Sequence, residues 1–311
     1  MTEPAQLSTS LPTFAAEDPG DWSHVVEFAR AADRAGFDRL VMSDHIAFGE
    51  NLGAYGDPSV GGSRGGRQPT GPDGSWLEPI ATIAHLTAVT SRARFATNIL
   101  VAALRRPVVL AKAAATIDVL SGGRLDLGVG VGWQREEYEA AGLSFEGRGR
   151  LLNHTIEVCQ ELWRNQTARY ETSELSFAKI HQMPKPRQSG GVPVWVSGTV
   201  NNRSMDRLAN YGSGWIPWGD DAADIEDGIT RMRAAVGDRG RDPSGLGVVG
   251  TLRAVKNDDG TLALDQTMEV VPRLHQAGVT DFRIGLAPPR GDQAAEEYLA
   301  AVVSAFRSAT A

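Results

Sequence analysis

Apolar positions along this chain change period repeatedly, from every third or fourth residue to every second, with glycines at the changes. The clearest instance is Arg105 to Trp133, RRPVVLAKAAATIDVLSGGRLDLGVGVGW. Leu110, Ala113, Ala114, Ile117 and Leu120 recur at helical spacing and make one apolar stripe. Pro107 suits the first turn of that helix, where its missing N–H costs nothing. Gly122 and Gly123 fall where a helix takes a left-handed terminator. Leu125, Leu127, Val129 and Val131 then alternate with Arg124, Asp126, Gly128 and Gly130, the period of a strand. One strand face is bulky and suits packing on helices. The other is nearly bare, so something large can lie against its backbone.

The same reading continues along the chain. Strands are expected over Leu7–Leu11, Phe37–Met42, Arg94–Leu100, Leu125–Val131, Val192–Val196, Gly214–Trp218, Leu246–Val255 and Asp281–Leu286. Helices are expected over Trp22–Ala35, Leu77–Thr90, Pro107–Leu120, Arg150–Trp163, Ser204–Asn210, Ala222–Val236, Leu264–Gln276 and Ala294–Phe306. Pro272 should kink or divide the seventh helix. Two segments fall outside this alternation: Phe48–Ser75, with nine glycines and no period, and a small hairpin over Thr167–Ile180.

Short glycine turns join helix ends to strand starts at Gly36, Gly122-Gly123, Gly212 and Gly278, as βα units require. Eight parallel strands with crossover helices close naturally into a (β/α)8 TIM barrel. A doubly wound open sheet would want a phosphate fingerprint after its first strand, and Leu7–Pro12 has none. At 311 residues, one barrel domain over residues 1–311 accounts for the chain.

Composition narrows the functional classes. A net charge of −7 gives no basic footprint for nucleic acid. The single cysteine, Cys159, excludes an internal disulfide and a cysteine pair for zinc, and its apolar stripe makes it buried filler. The N-terminus lacks a signal-peptide pattern and no apolar run reaches membrane-spanning length, so a soluble, cytoplasmic protein is expected.

The run LAKAAATIDVLSGGRLDLGVGVGW resembles the luciferase-like family of flavin and deazaflavin oxidoreductases. With Ser43-Asp44-His45 ending the second strand, the resemblance is nearest to the branch that uses coenzyme F420. It implies a barrel with the cofactor across the C-terminal strand ends, which is also where barrel sites gather on general grounds. His45 is placed for proton transfer, against the bland alternative of a hydrogen-bonded structural histidine. The family puts Asp44 and His45 beside the reactive edge of the deazaflavin. It puts Asn98 and Ile99 at a ring bulge often formed by a cis peptide, and Gly130, Gly132 and Trp133 around the ring. G-x-G followed by Gly132-Trp133 is a weak dinucleotide fingerprint, because Trp133 stands where its third glycine belongs.

Ser197, Gly198 and Thr199 open a helix after the fifth strand. Free N–H groups there suit a cofactor phosphate, although the same residues also make an ordinary cap. Arg64 and Arg67 in the long loop could meet an anionic tail or simply be solvated, and the loop as a whole is expected to be a mobile lid. Sugar-phosphate dehydrogenases of the family carry glutamate where Trp133 stands; with Trp215 and Trp218 this favours a hydrophobic organic substrate. The implied activity is F420-dependent hydride transfer. Alternatives are an FMN-dependent monooxygenase, a non-catalytic flavin-binding protein and a glycosidase barrel using Glu136 and Glu137. The last is weak, because neighbouring residues do not span the roughly 5–9.5 Å between such carboxylates across a cleft. Expected partners are the small-molecule substrate, a second copy of the chain and a reductase supplying reduced F420 or flavin, with no nucleic acid and no membrane.

Overall fold

A computed structural model describes residues 4–310. Eight parallel strands form a closed barrel: β1 (Gln6–Ser10), β2 (Arg39–Met42), β3 (Arg94–Thr97), β4 (Leu125–Val129), β5 (Val194–Gly198), β6 (Gly214–Pro217), β7 (Gly247–Leu252) and β8 (Asp281–Ile284). Each pairs with the next in chain order, and β8 closes on β1 with Gln6 opposite Asp281. The crossover helices are α1 (Ser23–Ala35), α2 (Pro79–Thr87), α3 (Pro107–Ser121), α4 (Arg148–Arg164), α5 (Asn202–Tyr211), α6 (Ile225–Gly237), α7 (Val271–Ala277) and α8 (Asp292–Thr310). Among the described residues, no helix is long and apolar enough to cross a membrane.

Local chemistry explains the boundaries. Gly36, Gly122 and Gly278 end α1, α3 and α7 in the left-handed conformation, which glycine adopts without a Cβ penalty. Glu78 caps α2 by accepting from the Ala81 N–H at 2.7 Å, with Pro79 in the first turn, so that helix starts two residues after Leu77. The segment Leu264–Gln276 is two helices, Leu264–Met268 and α7. Pro272 lies in the first turn of α7, where its absent N–H breaks nothing.

The bulky face of β4, with Leu125 and Leu127 buried, packs outward on the helices as its alternation requires. Asp33 of α1 accepts from the backbone N–H groups of Ser91, Arg92 and Ala93 at 2.8, 2.8 and 2.6 Å, tying that helix to the start of β3. Cys159 is buried in α4, and burial pushes its thiol pKa up.

The hairpin pairs Ala168–Glu171 with Ser176–Ile180, outside the barrel. The long segment after β2 is more ordered than its lack of period suggests. It contains 3-10 turns at Leu52–Gly56 and Pro58–Val60, too short to leave a sequence period. At its end Ser75–Trp76 pairs antiparallel with Phe14–Ala15 from the loop after β1.

Candidate active site

The C-terminal ends of β2, β3 and β4 bring together residues far apart in sequence. Asp44 is buried just past β2, and its carboxylate is fully engaged. It accepts from the Val101 N–H at 2.9 Å and from two guanidinium nitrogens of Arg105 at 2.7 and 2.9 Å. Arg105 also donates to Glu78 at 2.6 Å. Burial opposes the charge of Arg105, but Asp44 and Glu78 outweigh it and the guanidinium pKa is raised. Asp44 ties the β2 end to the segment after β3 through charge-assisted hydrogen bonds.

His45 has a different partner. Its Nδ1 lies 3.4 Å from Glu137 Oε2, with the two side chains only 10% and 1% exposed. That distance is ion-pair range without hydrogen-bond alignment, and neither atom has another hydrogen-bond partner among the described residues. Glu137 is itself fixed, because its Oε1 accepts from the Ile46 N–H at 2.6 Å. It sits on the short helix Arg135–Ala140 directly after Trp133. Glu137 thus faces the Nδ1 side of the imidazole.

Aromatic rings enclose the imidazole. Phe48, Trp76 and Trp133 lie 4.2, 5.0 and 5.7 Å from it, centre to centre. Phe14 stacks on Trp76 at 4.3 Å. Tyr55 bridges Trp133 and Trp218 at 5.4 and 6.2 Å. The long segment thus folds over the strand ends. Trp218 donates its ring N–H to Gly62 O at 3.1 Å, and Gln134 donates to Gly49 O at 3.1 Å. Arg64 and Arg67 on this segment are exposed.

The bare face of β4 has an occupant from the chain itself. A Cβ on Gly128 would overlap Thr97 O, and one on Gly130 would meet Ile99 Cδ1 at 2.9 Å. The peptide Asn98–Ile99 is cis. Its surroundings are set by the Asn98 N–H donating to Met42 O at 2.7 Å and the Leu100 N–H donating to Gly128 O at 2.7 Å. Gly132 is left-handed at φ 66°, and Trp133 lies beyond the strand, buried beside His45 and Tyr55.

One expectation needs correction. Trp215 is fully buried on the outer face of β6, where its ring packs against Gly228 of α6. It cannot line a substrate site; its N–H donates to Gly198 O at 2.9 Å and steadies the β5 end. The start of α5 is also less free than its small residues suggest. Asn201 caps it by accepting from the N–H groups of Arg203 and Ser204 at 3.0 and 3.1 Å, and Asp221 accepts from the Val200 N–H at 2.7 Å. Ser197, Gly198 and Thr199 remain partly exposed at the mouth, apart from the His45 cluster.

Sequence reasoning missed Tyr55, Phe48, Trp76 and Arg105, and weighed Glu137 only as a glycosidase carboxylate. The aromatic residues stand out in a glycine-rich segment, but nothing local says which strand ends they cover. Glu137 could be found only as the buried member of a Glu-Glu pair after a barrel strand.

Comparison with known proteins agrees with this architecture. Residues 5–308 match the family described as luciferase-like monooxygenase. An uncharacterized Mycobacterium tuberculosis protein is 28% identical over 282 residues, 88% of each chain. An F420-dependent glucose-6-phosphate dehydrogenase of Segniliparus rotundus is 29% identical over 255 residues, 78% of this chain and 68% of that one. An F420-dependent secondary alcohol dehydrogenase structure superposes with a TM-score of 0.74 at 17% identity, covering 99% of this chain and 100% of that one, a likeness of fold. With a closed eight-stranded barrel and a match spanning nearly its whole length, the chain belongs to the luciferase-like monooxygenase family.

Proposed function

We propose that the protein is an F420-dependent oxidoreductase that moves a hydride between the deazaflavin and a hydrophobic organic substrate. The observation that carries this reading is His45, held against buried Glu137 inside an apolar ring of Trp76, Phe48 and Trp133 at the barrel's C-terminal face. A flat conjugated cofactor fits such surroundings: aromatic walls, one imidazole, and the partly exposed polar residues Asn98, Ser197 and Thr199.

When bound, a deazaflavin supplies a hydride-carrying ring carbon. The chain supplies the rest. The Thr97–Ile99 segment, backed by Gly128 and Gly130, would support the ring, and Gly132 and Trp133 would border it. Asp44 and Arg105 fix the β2 end, and with it the place of His45. Glu137 orients the imidazole so that Nε2 gives or takes a proton at the substrate oxygen. The Tyr55–Trp218 cover would exclude water. Ser197, Gly198 and Thr199 are assigned to the cofactor phosphate through the exposed turn, since Asn201 already uses amides of the helix itself.

The Segniliparus relative is named for a sugar phosphate. Trp133 offers apolar surface instead of a carboxylate, which favours an apolar carbonyl or alcohol here. A second copy of the chain and a reductase that regenerates reduced cofactor belong to the same proposal. Fluorescence titration with F420 and with FMN tests it: tight F420 binding with weak FMN binding is expected. Micromolar FMN binding without F420 binding would replace it by the flavin monooxygenase reading, and binding of neither would remove the cofactor assignment.

A further inference from the structure

Below the candidate active site, the barrel lumen carries an ionic layer that the proposed chemistry does not use. Arg39 donates to Asp126 at 3.1 Å and also to Asp281. Arg94 donates to the two oxygens of Asp126 at 2.8 and 2.7 Å. Ser8 donates to Asp281 at 2.5 Å, and the Arg39 guanidinium stacks 4.9 Å over the Trp195 ring. These contacts occupy both carboxylates with donors.

Arg283 is left over. It sits on β8 two residues beyond Asp281, and its buried Nε has no hydrogen-bond partner among the described residues. Burial and the neighbouring Arg39 pull its pKa down to about 9, so it stays cationic at neutral pH. Asp126 and Asp281 answer Arg39 and Arg94, with buried Asp118 also acting on Arg94, so among the described residues Arg283 is the guanidinium left without an acidic partner.

A cavity of about 10 Å³ lies between Arg39, Arg283, Trp195 and Ile216, with Asp281 also on its wall. That is room for roughly one water-sized particle. A water would accept a hydrogen bond from Arg283 but leave its charge uncompensated. An unpaired buried charge is costly, and a monovalent anion answers both needs.

We propose that the barrel lumen binds one halide-sized monovalent anion between Arg39 and Arg283. Its role is to neutralise the floor of the barrel beneath the active site, independently of which cofactor binds above.

The test uses the full-length protein without added cofactor. In crystals grown in bromide, an anomalous peak between the Arg39 and Arg283 guanidiniums is expected; its absence at full bromide occupancy of the solvent overturns the proposal. In solution, exchange of gluconate for chloride at constant ionic strength should raise the melting temperature along the ln(1 + [L]/Kd) course of ligand linkage. Arg283→Met should lose that dependence. A chloride response of equal size in both proteins, or none in the wild type, also overturns it. Should Arg283→Met not fold, the bromide crystal decides alone.

Discussion

Glu137 Oε2 stands 3.4 Å from His45 Nδ1, and the Ile46 N–H holds the other oxygen of the same carboxylate at 2.6 Å. One acid thus touches both the imidazole and the backbone next to it. The pair joins the end of β2 to the short helix that follows β4.

This pairing separates two roles by experiment. His45→Ala should slow turnover by about 10²–10⁴-fold if proton transfer limits the rate, and should leave cofactor affinity largely intact. The ionisation in the wild-type pH profile should vanish with it. Glu137→Gln should lower kcat less and keep the ionisation, because a glutamine can still accept from the Ile46 N–H but holds the ring less firmly. Steady-state kinetics across pH, with cofactor binding measured separately, check both. An unchanged profile in His45→Ala would remove the imidazole from the mechanism.

The glycines of β4 give a prediction about stability. A methyl on Gly128 meets the backbone carbonyl of Thr97, which cannot swing aside, whereas one on Gly130 meets the movable end of Ile99. Gly128→Ala should therefore cost on the order of 1–3 kcal/mol or more, as overpacked interiors do, and Gly130→Ala clearly less. Urea unfolding of the two variants compares them. Equal losses would mean that Ile99 is as rigid as the Thr97 backbone.

How much of this could be read in advance depends on the range of the interaction. The barrel was legible because every βα unit carries its own signal: the stripe of α3, the terminator at Gly122 and the alternation of β4 lie within one stretch. Asp44 and His45 were legible as strand-end residues, yet their partners were not. Arg105 and Glu137 reach them only after the barrel closes. Trp215 failed for a simpler reason. Neighbours on a strand face opposite sides, and Ile216, not Trp215, points into the lumen beside Gly128.

Asp33 yields a pH prediction. Burial opposes its charge, but the amides of Ala93, Ser91 and Arg92 outweigh that, so its folded pKa lies below the ordinary value of 3.8. A carboxylate with a lowered folded pKa stabilises the protein fully above its unfolded pKa. That contribution is lost as pH falls through the lowered folded value. Asp33→Asn should thus reduce stability at neutral pH and flatten the decline below about pH 4, the ordinary carboxylate range. Thermal melts from pH 3 to 7 for both proteins test this; parallel curves would mean that Asp33 gains nothing from its three amides.

The cover over the strand ends rests on few anchors, and one can be cut cleanly. The Trp218 N–H donates to Gly62 O, while its ring faces Tyr55. Trp218→Phe keeps an aromatic ring there and deletes the donor. A single hydrogen bond of this kind contributes about 0.5–1.5 kcal/mol, so local opening of the segment should become roughly 2- to 13-fold more frequent while global stability barely changes. Hydrogen exchange of the amides of Gly62, Ser63 and Gly66 reads that opening directly. The Ser63 and Gly66 amides are useful reporters because they bond within the segment, to Tyr55 O and Ser63 O at 2.8 and 2.7 Å. If the segment is the cover of a cofactor site, bound cofactor should slow exchange in the wild type and restore part of the protection in Trp218→Phe. Identical exchange with and without cofactor in the wild type would separate this segment from the site and leave it a structural strap across β4 and β6.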